Sequence, residues 1–391
     1  MPLKNLLSKL NPASKKSTDP IYSLVCSGGG ALGAYQVGAI RYIHEHFCVG
    51  EQSPFQVFTG ASCGSLNTTF LACESFQAKS SSLRLEQLWT KFHVPAYHQN
   101  IFKSVRTSLI QYFRKRDRGW SLFNPQPMID IIREGLIRTN LEKSFEMHST
   151  LGVAIAATEI VSCHPVWFVE GPNAVEWRRF HSLAFKHKIG LQQVAASCSF
   201  PIFMPPVKVG DHYYIDGAMK LERPFSAAIS MGSTKILCIS TKVDENPELP
   251  KYHKNFKPGY AALFRLLMKS LNQELIVSEA EQLKILNRLM LHVDQEKKQG
   301  QLSETMHNAL FDEKFSMSSY KPIEVMLLQP SESPDKLFRE FKKEHKSRTH
   351  SPDPFLFHKD FIKKLIEMGY AETREKHKEL EKFFSEVRSK T

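Results

Sequence analysis

Three short stretches of this 391-residue chain carry residue types that can do chemistry together. In "GASCGS", Ser62 sits within Gly60-x-Ser62-x-Gly64, between an apolar run and a helical pattern. A serine lifted onto a tight strand-to-helix turn has its hydroxyl exposed, and flanking glycines avoid clashes there. The bland alternative is an ordinary turn in which Ser62 caps a helix. In "VCSGGGALGAYQVG", Gly28, Gly29 and Gly30 are followed by Ala31, Leu32 and Gly33. That much bare backbone suits either a phosphate cradle or a set of amides aimed at a negative reaction intermediate. In "VKVGDHYYIDGAMKLERP", Asp216 ends a β-like run and is followed by the small residues Gly217 and Ala218. A turn aspartate is its bland reading.

A serine needs a base within hydrogen-bond reach to become a useful nucleophile. Sixteen histidines are present, and His253, His292 and His307 are the candidates, but none follows a strand in a distinctive loop. Asp216 is the carboxylate on offer instead. The nucleotide alternative reads Gly28-x-Gly30-x-x-Gly33 as a dinucleotide fingerprint, which requires an acidic residue about 20 positions on, after the second strand. Glu51 precedes that strand, and no GK[ST] follows the glycines for a P-loop.

These residues need elements to position them. Ile21 to Cys26 predicts a strand that stops at the glycines, and Gly33 to Phe47 predicts a helix through Ala34, Val37, Ile40 and Ile43. A second such unit has a strand over Phe55 to Thr59, a turn at "GASCGS" and a helix over Leu66 to Phe76. Further strands are expected at Leu151 to Ala157, Tyr213 to Ile215, Lys235 to Ser240 and Ile323 to Leu328. This alternation predicts an α/β fold, a three-layer α/β/α arrangement around a mostly parallel sheet. Residues 79–126 break the alternation and are expected to form a cap or an interfacial segment. Residues 259–295 have helical periodicity. The domain reading is a flexible basic leader over 1–19, one domain over 20–372 and a charged C-terminal helix over 373–391.

At 42% apolar residues the chain can bury a substantial core. Seven cysteines without a CxxC pair fit neither a disulfide framework nor a zinc site. No metal or cofactor is expected. With no apolar signal region and no run of about 18 apolar residues, the expected setting is cytoplasmic, with peripheral membrane contact and non-classical export left open. A net charge of +12 fits an acidic partner or a solvated lysine-rich surface. Nucleic acid is not expected, because no recognisable module accompanies the charge.

Taken together, "SGGGALGAYQVGAI", "GASCGS" and "AASCSFPIFMPPVKVGDHYYIDGAM", in this order, resemble bacterial members of the patatin-like phospholipase family. "SLFNPQPMIDII", "LGVAIAATEI" and "FLFHKDFIKKLIEMGYA" add to the likeness, which covers roughly residues 20–372. The resemblance implies lipid acyl hydrolysis by a Ser–Asp dyad without a histidine. Ser62 would be the nucleophile and Asp216 the base. The amides of Gly29 and Gly30, with Gly28 or Ala31, would form the oxyanion hole, and Gly33, Gly60, Gly64, Gly217 and Ala218 would support the motifs. Two departures stand out. Leu32 occupies a position that is commonly Arg or Lys, and Arg223 precedes Pro224 where Asn is common. The substrate would be a phospholipid or another lipid ester, with a protein activator left open. Arg114, Lys115, Arg116 and Trp120 offer a membrane-facing cluster. The competing class is an interaction or effector protein on the same scaffold, with low or partner-dependent hydrolase activity.

Overall fold

The structure, a computed structural model, describes residues 19–91, 121, 124–179, 182–243, 275–299, 321–332, 334–344 and 357–388. Residues 1–18 of the leader, the cluster Arg114, Lys115, Arg116 and Trp120, and the histidines His253 and His307 lie outside the described residues. The strands are β1 (Tyr22–Cys26), β2 (Val57–Ala61), β3 (Gly152–Glu159), β4 (Pro165–Glu170), β5 (Trp177–Arg179), β6 (Ser182–Lys186), β7 (Val207–Val209), β8 (His212–Asp216), β9 (Lys235–Ile239) and β10 (Glu324–Leu328). The helices are α1 (Gly33–Phe47), α2 (Cys63–Cys73), α3 (Ala78–Lys91), α4 (Gln126–Gly135), α5 (Arg138–Glu146), α6 (Leu191–Ser197), α7 (Ser226–Ser230), α8 (Ile276–Lys298), α9 (Pro334–Glu344), α10 (Lys359–Glu375), α11 (His377–Phe383) and α12 (Ser385–Arg388).

The sheet runs in the order β10-β9-β1-β2-β3-β4-β6-β5, and the five strands from β10 to β3 are mutually parallel. Strands β1, β2 and β3 are buried along their whole length, as parallel strands covered on both faces must be. Successive side chains divide between two cores. Leu24 and Cys26 join α1, α2, α3 and α10 on one face, whereas Val25 joins Phe225, Ala227, Ile276 and Ala280 on the other. This is the expected three-layer α/β/α arrangement. The sequence pattern missed the antiparallel β3–β4 pair and the short strands β5, β6 and β7.

Within the segment expected to cap the site, residues 79–91 belong to α3, whose Leu85, Leu88 and Trp89 are buried in the main core. In these residues an amphipathic face at i, i+3 and i+4 packs on the core. At the other end of the chain, Phe383 and Phe384 pack on Tyr22, edge-on and stacked respectively, and Leu380 is fully buried. The Tyr22 hydroxyl donates to the Phe383 carbonyl at 3.3 Å.

Helix α8 is tied to the domain by a buried acid, since Glu279 Oε2 accepts the Phe225 N–H at 2.9 Å. Burial raises its pKa from 4.5 to about 7, against the opposing pull of that N–H and of Arg223. The native state therefore holds a proton that the unfolded chain has already released between those pH values. The stability this group contributes is complete below about pH 4.5 and is lost as pH rises through about 7, amounting to no more than about 3 kcal/mol. Burial of His44 acts oppositely, with a pKa lowered to about 4, so its contribution is lost as pH falls below its ordinary 6.5. Glu279→Gln keeps His44 and removes the acid. Urea titrations at pH 5 and pH 8 are expected to show the wild type losing more stability between them than the variant; parallel losses would contradict the assignment.

Candidate active site

Register places the site. Strand β2 runs parallel to β3 with Ala61 opposite Ala156, and β8 runs antiparallel along the same edge of β3 with Asp216 opposite Ala157. The two strands approach from opposite ends, and their C-termini meet at two consecutive residues of β3. Ser62 follows Ala61 directly. Its Oγ donates to Asp216 Oδ2 at 2.6 Å, and both residues are buried.

Ser62 has φ 53° and ψ −130°, a conformation that is uncommon for a non-glycine residue. Helix α2 begins at the next residue. The expected helix start at Leu66 and the expected strand end at Thr59 are thus corrected, since the strand runs on to Ala61 and the turn is a single residue. Gly64 and Ser65 are weak helix formers, so propensity concealed the first turn. Close packing requires glycine there: a Cβ on Gly64 would lie 2.2 Å from the Cys26 carbonyl oxygen. Ser62 does occupy the capping position, but its side chain makes no capping bond and is turned to Asp216 instead. The N-terminus of α2 brings its positive dipole end to the serine.

Asp216 is held as closely. Its Oδ1 accepts the Ala218 N–H at 2.8 Å, its own N–H donates to the Ser199 carbonyl at 3.0 Å, and its carbonyl accepts from Thr158 Oγ1 at 3.0 Å. A Cβ on Gly217 would fall 2.1 Å from the Ala156 carbonyl oxygen, which explains the glycine after the aspartate.

The glycine stretch lies beside the same point. Gly33, the first residue of α1, abuts Cys63, and the Cys63 thiol lies 3.8 Å from the Ser27 carbonyl. Gly30 takes φ +60° and opens a 3-10 turn over Gly30–Leu32, so Ala31 is buried and Leu32 half-buried at the entry to α1. Gly60 lies within β2, paired with Cys26 and Ile155. Arg223 is exposed, and its carbonyl accepts the Ser226 N–H and hydroxyl at 3.2 and 2.8 Å, so the turn before α7 closes through backbone at that position.

Residues at the end of α6 had not been singled out individually. The Ser62 N–H donates to Ser197 Oγ at 3.0 Å, and the Cys198 thiol donates to the Ser62 carbonyl at 3.2 Å. Burial, and then the charge of Asp216, push the Cys198 thiol up, so it stays a protonated donor. Ser197, Cys198 and Ser199 together hold the backbones of both Ser62 and Asp216. The signal was present in "AASCSFP", where two serines follow a helical pattern, but nothing local says what they bond. Ser197→Ala leaves a buried N–H without its partner. We expect a stability loss of about 1–3 kcal/mol. Urea unfolding would check this, and an unchanged midpoint would contradict the contact.

Of the three candidate histidines, His292 is the one among the described residues, and it lies away from Ser62. His292 is exposed on α8 beside Glu296 at 3.3 Å, and His44 is buried against the Ala78 carbonyl. The seven cysteines are free thiols. Among the described residues no cluster of His, Cys, Asp or Glu could hold a metal ion, and no helix is long and apolar enough to cross a membrane.

The sequence model of the patatin-like phospholipase family matches residues 24–229, more than half of the chain. No curated protein matches it. Among solved structures, VipD from Legionella pneumophila aligns at 11% identity over 91% of this chain and 66% of its own, with a TM-score of 0.34. Human GIVD cytosolic phospholipase A2, in complex with methyl gamma-linolenyl fluorophosphonate, aligns at 11% identity over 95% of this chain and 60% of its own, with a TM-score of 0.41. The ExoU–SpcU complex of the Pseudomonas aeruginosa type III secretion system aligns at 18% identity over 56% of this chain and 44% of its own, with a TM-score of 0.27. This chain spans less than two thirds of the length of each of them. With the match from Leu24 to Ile229 enclosing the glycine turn, Ser62 and Asp216, the chain belongs to the patatin-like phospholipase family, a family of lipid hydrolases.

Proposed function

We propose that this protein hydrolyses carboxylic esters of lipids, as a phospholipase A or lysophospholipase, through a Ser62–Asp216 dyad and an acyl-enzyme. The observation that carries the reading is the 2.6 Å contact between Ser62 Oγ and Asp216 Oδ2 at a strained strand-to-helix turn. Asp216 Oδ2 takes the hydroxyl proton as Ser62 Oγ attacks the ester carbonyl carbon. The resulting oxyanion is met by the amides of Gly29 and Gly30, with Gly28 or Ala31. Collapse breaks the ester bond, and the leaving alcohol takes the proton from Asp216. A water molecule then gives its proton to Asp216 and attacks the acyl group on Ser62. Breakdown of the second intermediate returns the proton to Ser62 and releases the fatty acid. Each oxyanion donor in such a site is worth about 2.7–4 kcal/mol of transition-state stabilisation.

Mass spectrometry of fatty acid released from phospholipid and lysophospholipid vesicles tests the substrate class. Release is expected from the wild type and not from Ser62→Ala, and equal release from both would overturn the reading. The basic cluster extends the proposal to the bilayer surface. Reversing the charge of Arg114, Lys115 and Arg116, each worth about 1 kcal/mol at an anionic surface, should weaken binding to anionic vesicles while sparing turnover of a soluble ester. Unchanged vesicle binding would remove the cluster from that role.

A further inference from the structure

The Gly28–Gly29 peptide lies just beyond the end of β1, between β9 on one side and β2 on the other. Flanking glycines let such a peptide rotate at little steric cost. Something outside the loop must therefore fix which way its N–H points.

The carbonyl of this peptide is held from the β9 side. Thr241, two residues past the end of β9, donates its hydroxyl to the Gly28 oxygen at 2.5 Å. Ser27 Oγ lies 3.2 Å from the same oxygen, accepts the Thr241 N–H at 2.9 Å and sits 3.4 Å from Thr241 Oγ1. Ser27 and Thr241 are both buried. Gly29 is pressed against this group so closely that a Cβ would lie 2.3 Å from Thr241 Oγ1. Behind it, Gln36 Nε2 donates to the Ser27 and Ile239 carbonyls at 2.9 and 3.0 Å, and Gln36 Oε1 accepts from Asn67 at 2.9 Å.

A trans peptide carries its N–H opposite to its C=O, and no cis peptide is present among the described residues. With the carbonyl drawn toward β9, the Gly29 N–H is directed toward β2, the strand that Ser62 follows. We propose that Thr241 is a positioning residue: its hydroxyl, backed by Ser27, locks the Gly28–Gly29 peptide so that the Gly29 amide faces the oxyanion formed at Ser62. This inference rests on the catalytic reading above. Thr241 lies beyond the residues that match the family.

The test is steady-state hydrolysis of a soluble fatty-acyl nitrophenyl ester by the full chain, comparing Thr241→Val, Thr241→Ser and Ser62→Ala. Valine keeps the side-chain volume and the backbone N–H to Ser27 but cannot donate, whereas serine keeps the donor. Thr241→Val should lower kcat at least about tenfold, bounded by the 10²–10³-fold typical of losing an oxyanion donor outright, with KM changed less than about threefold. Thr241→Ser should stay within about threefold of wild type, a rescue that a purely packing role would not give. Wild-type kcat in Thr241→Val, or Thr241→Ser falling as far as the valine variant, overturns the proposal. Should the valine variant not fold, Thr241→Ala read against Thr241→Ser supplies the same comparison. The control separates the two failures. Hydrolysis surviving in Ser62→Ala overturns the catalytic reading itself, whereas an inactive Ser62→Ala beside a fully active Thr241→Val overturns only the role of Thr241.

Discussion

Asp216→Asn is expected to lower kcat for ester hydrolysis by about 10²–10⁴-fold, the usual contribution of a positioned general base, with little change in KM. The amide keeps the shape of the side chain and still offers an oxygen to the Ala218 N–H, now 2.8 Å from Oδ1. What it loses is the capacity to take the proton of Ser62 Oγ. The buried backbone of Asp216 is anchored separately, to Ser199 and Thr158, so the variant should fold. Stopped-flow or steady-state ester assays with a parallel unfolding curve would check this. A folded Asp216→Asn with wild-type kcat would mean that another group activates the serine.

The second large effect is expected from Gly64→Ala, a change of one methyl group. The added carbon would lie 2.2 Å from the Cys26 carbonyl oxygen and 2.6 Å from that of Ser27, where ordinary contacts begin at 3.4 Å. Both obstacles are backbone at the end of a central strand, so α2 must move by about 1 Å. Overpacking of this kind typically costs about 1–3 kcal/mol. Because α2 begins at Cys63, Ser62 moves with it, and a displacement of about 1 Å can cost 10²-fold in rate. Activity and urea stability should fall together in Gly64→Ala, in contrast to Asp216→Asn. Wild-type activity in Gly64→Ala would show that the helix does not fix the serine.

What could be read from the sequence, and what could not, follows from how far apart the interacting residues are. The glycines around Ser62 and after Asp216 were legible because the close approaches they permit are demanded at those positions, within a few residues of the two side chains. The parallel part of the sheet was legible because strands buried on both faces are rich in consecutive apolar residues, as in Leu24–Cys26 and Ile236–Ile239. The meeting of Ser62 with Asp216 depends on register, Ala61 with Ala156 and Asp216 with Ala157, which is a long-range property. Alone, each residue also suited an ordinary turn. The contacts of Ser197, Cys198 and Thr241 were invisible for the same reason, since a small polar residue at the end of a helix or strand looks alike whether it bonds solvent or the backbone of a distant turn. The first turn of α2 was missed because Gly64 and Ser65 are poor helix formers, held helical by packing against the end of β1.

The central claim is that the Ser62 hydroxyl is the nucleophile and that Asp216 activates it directly. The most direct measurement is intact-protein and peptide mass spectrometry after reaction with a serine-reactive fluorophosphonate. The account predicts one adduct per chain, mapped to Ser62, absent in Ser62→Ala and formed far more slowly in Asp216→Asn. An adduct on a different residue, or equal labelling of the wild type and Ser62→Ala, would contradict it.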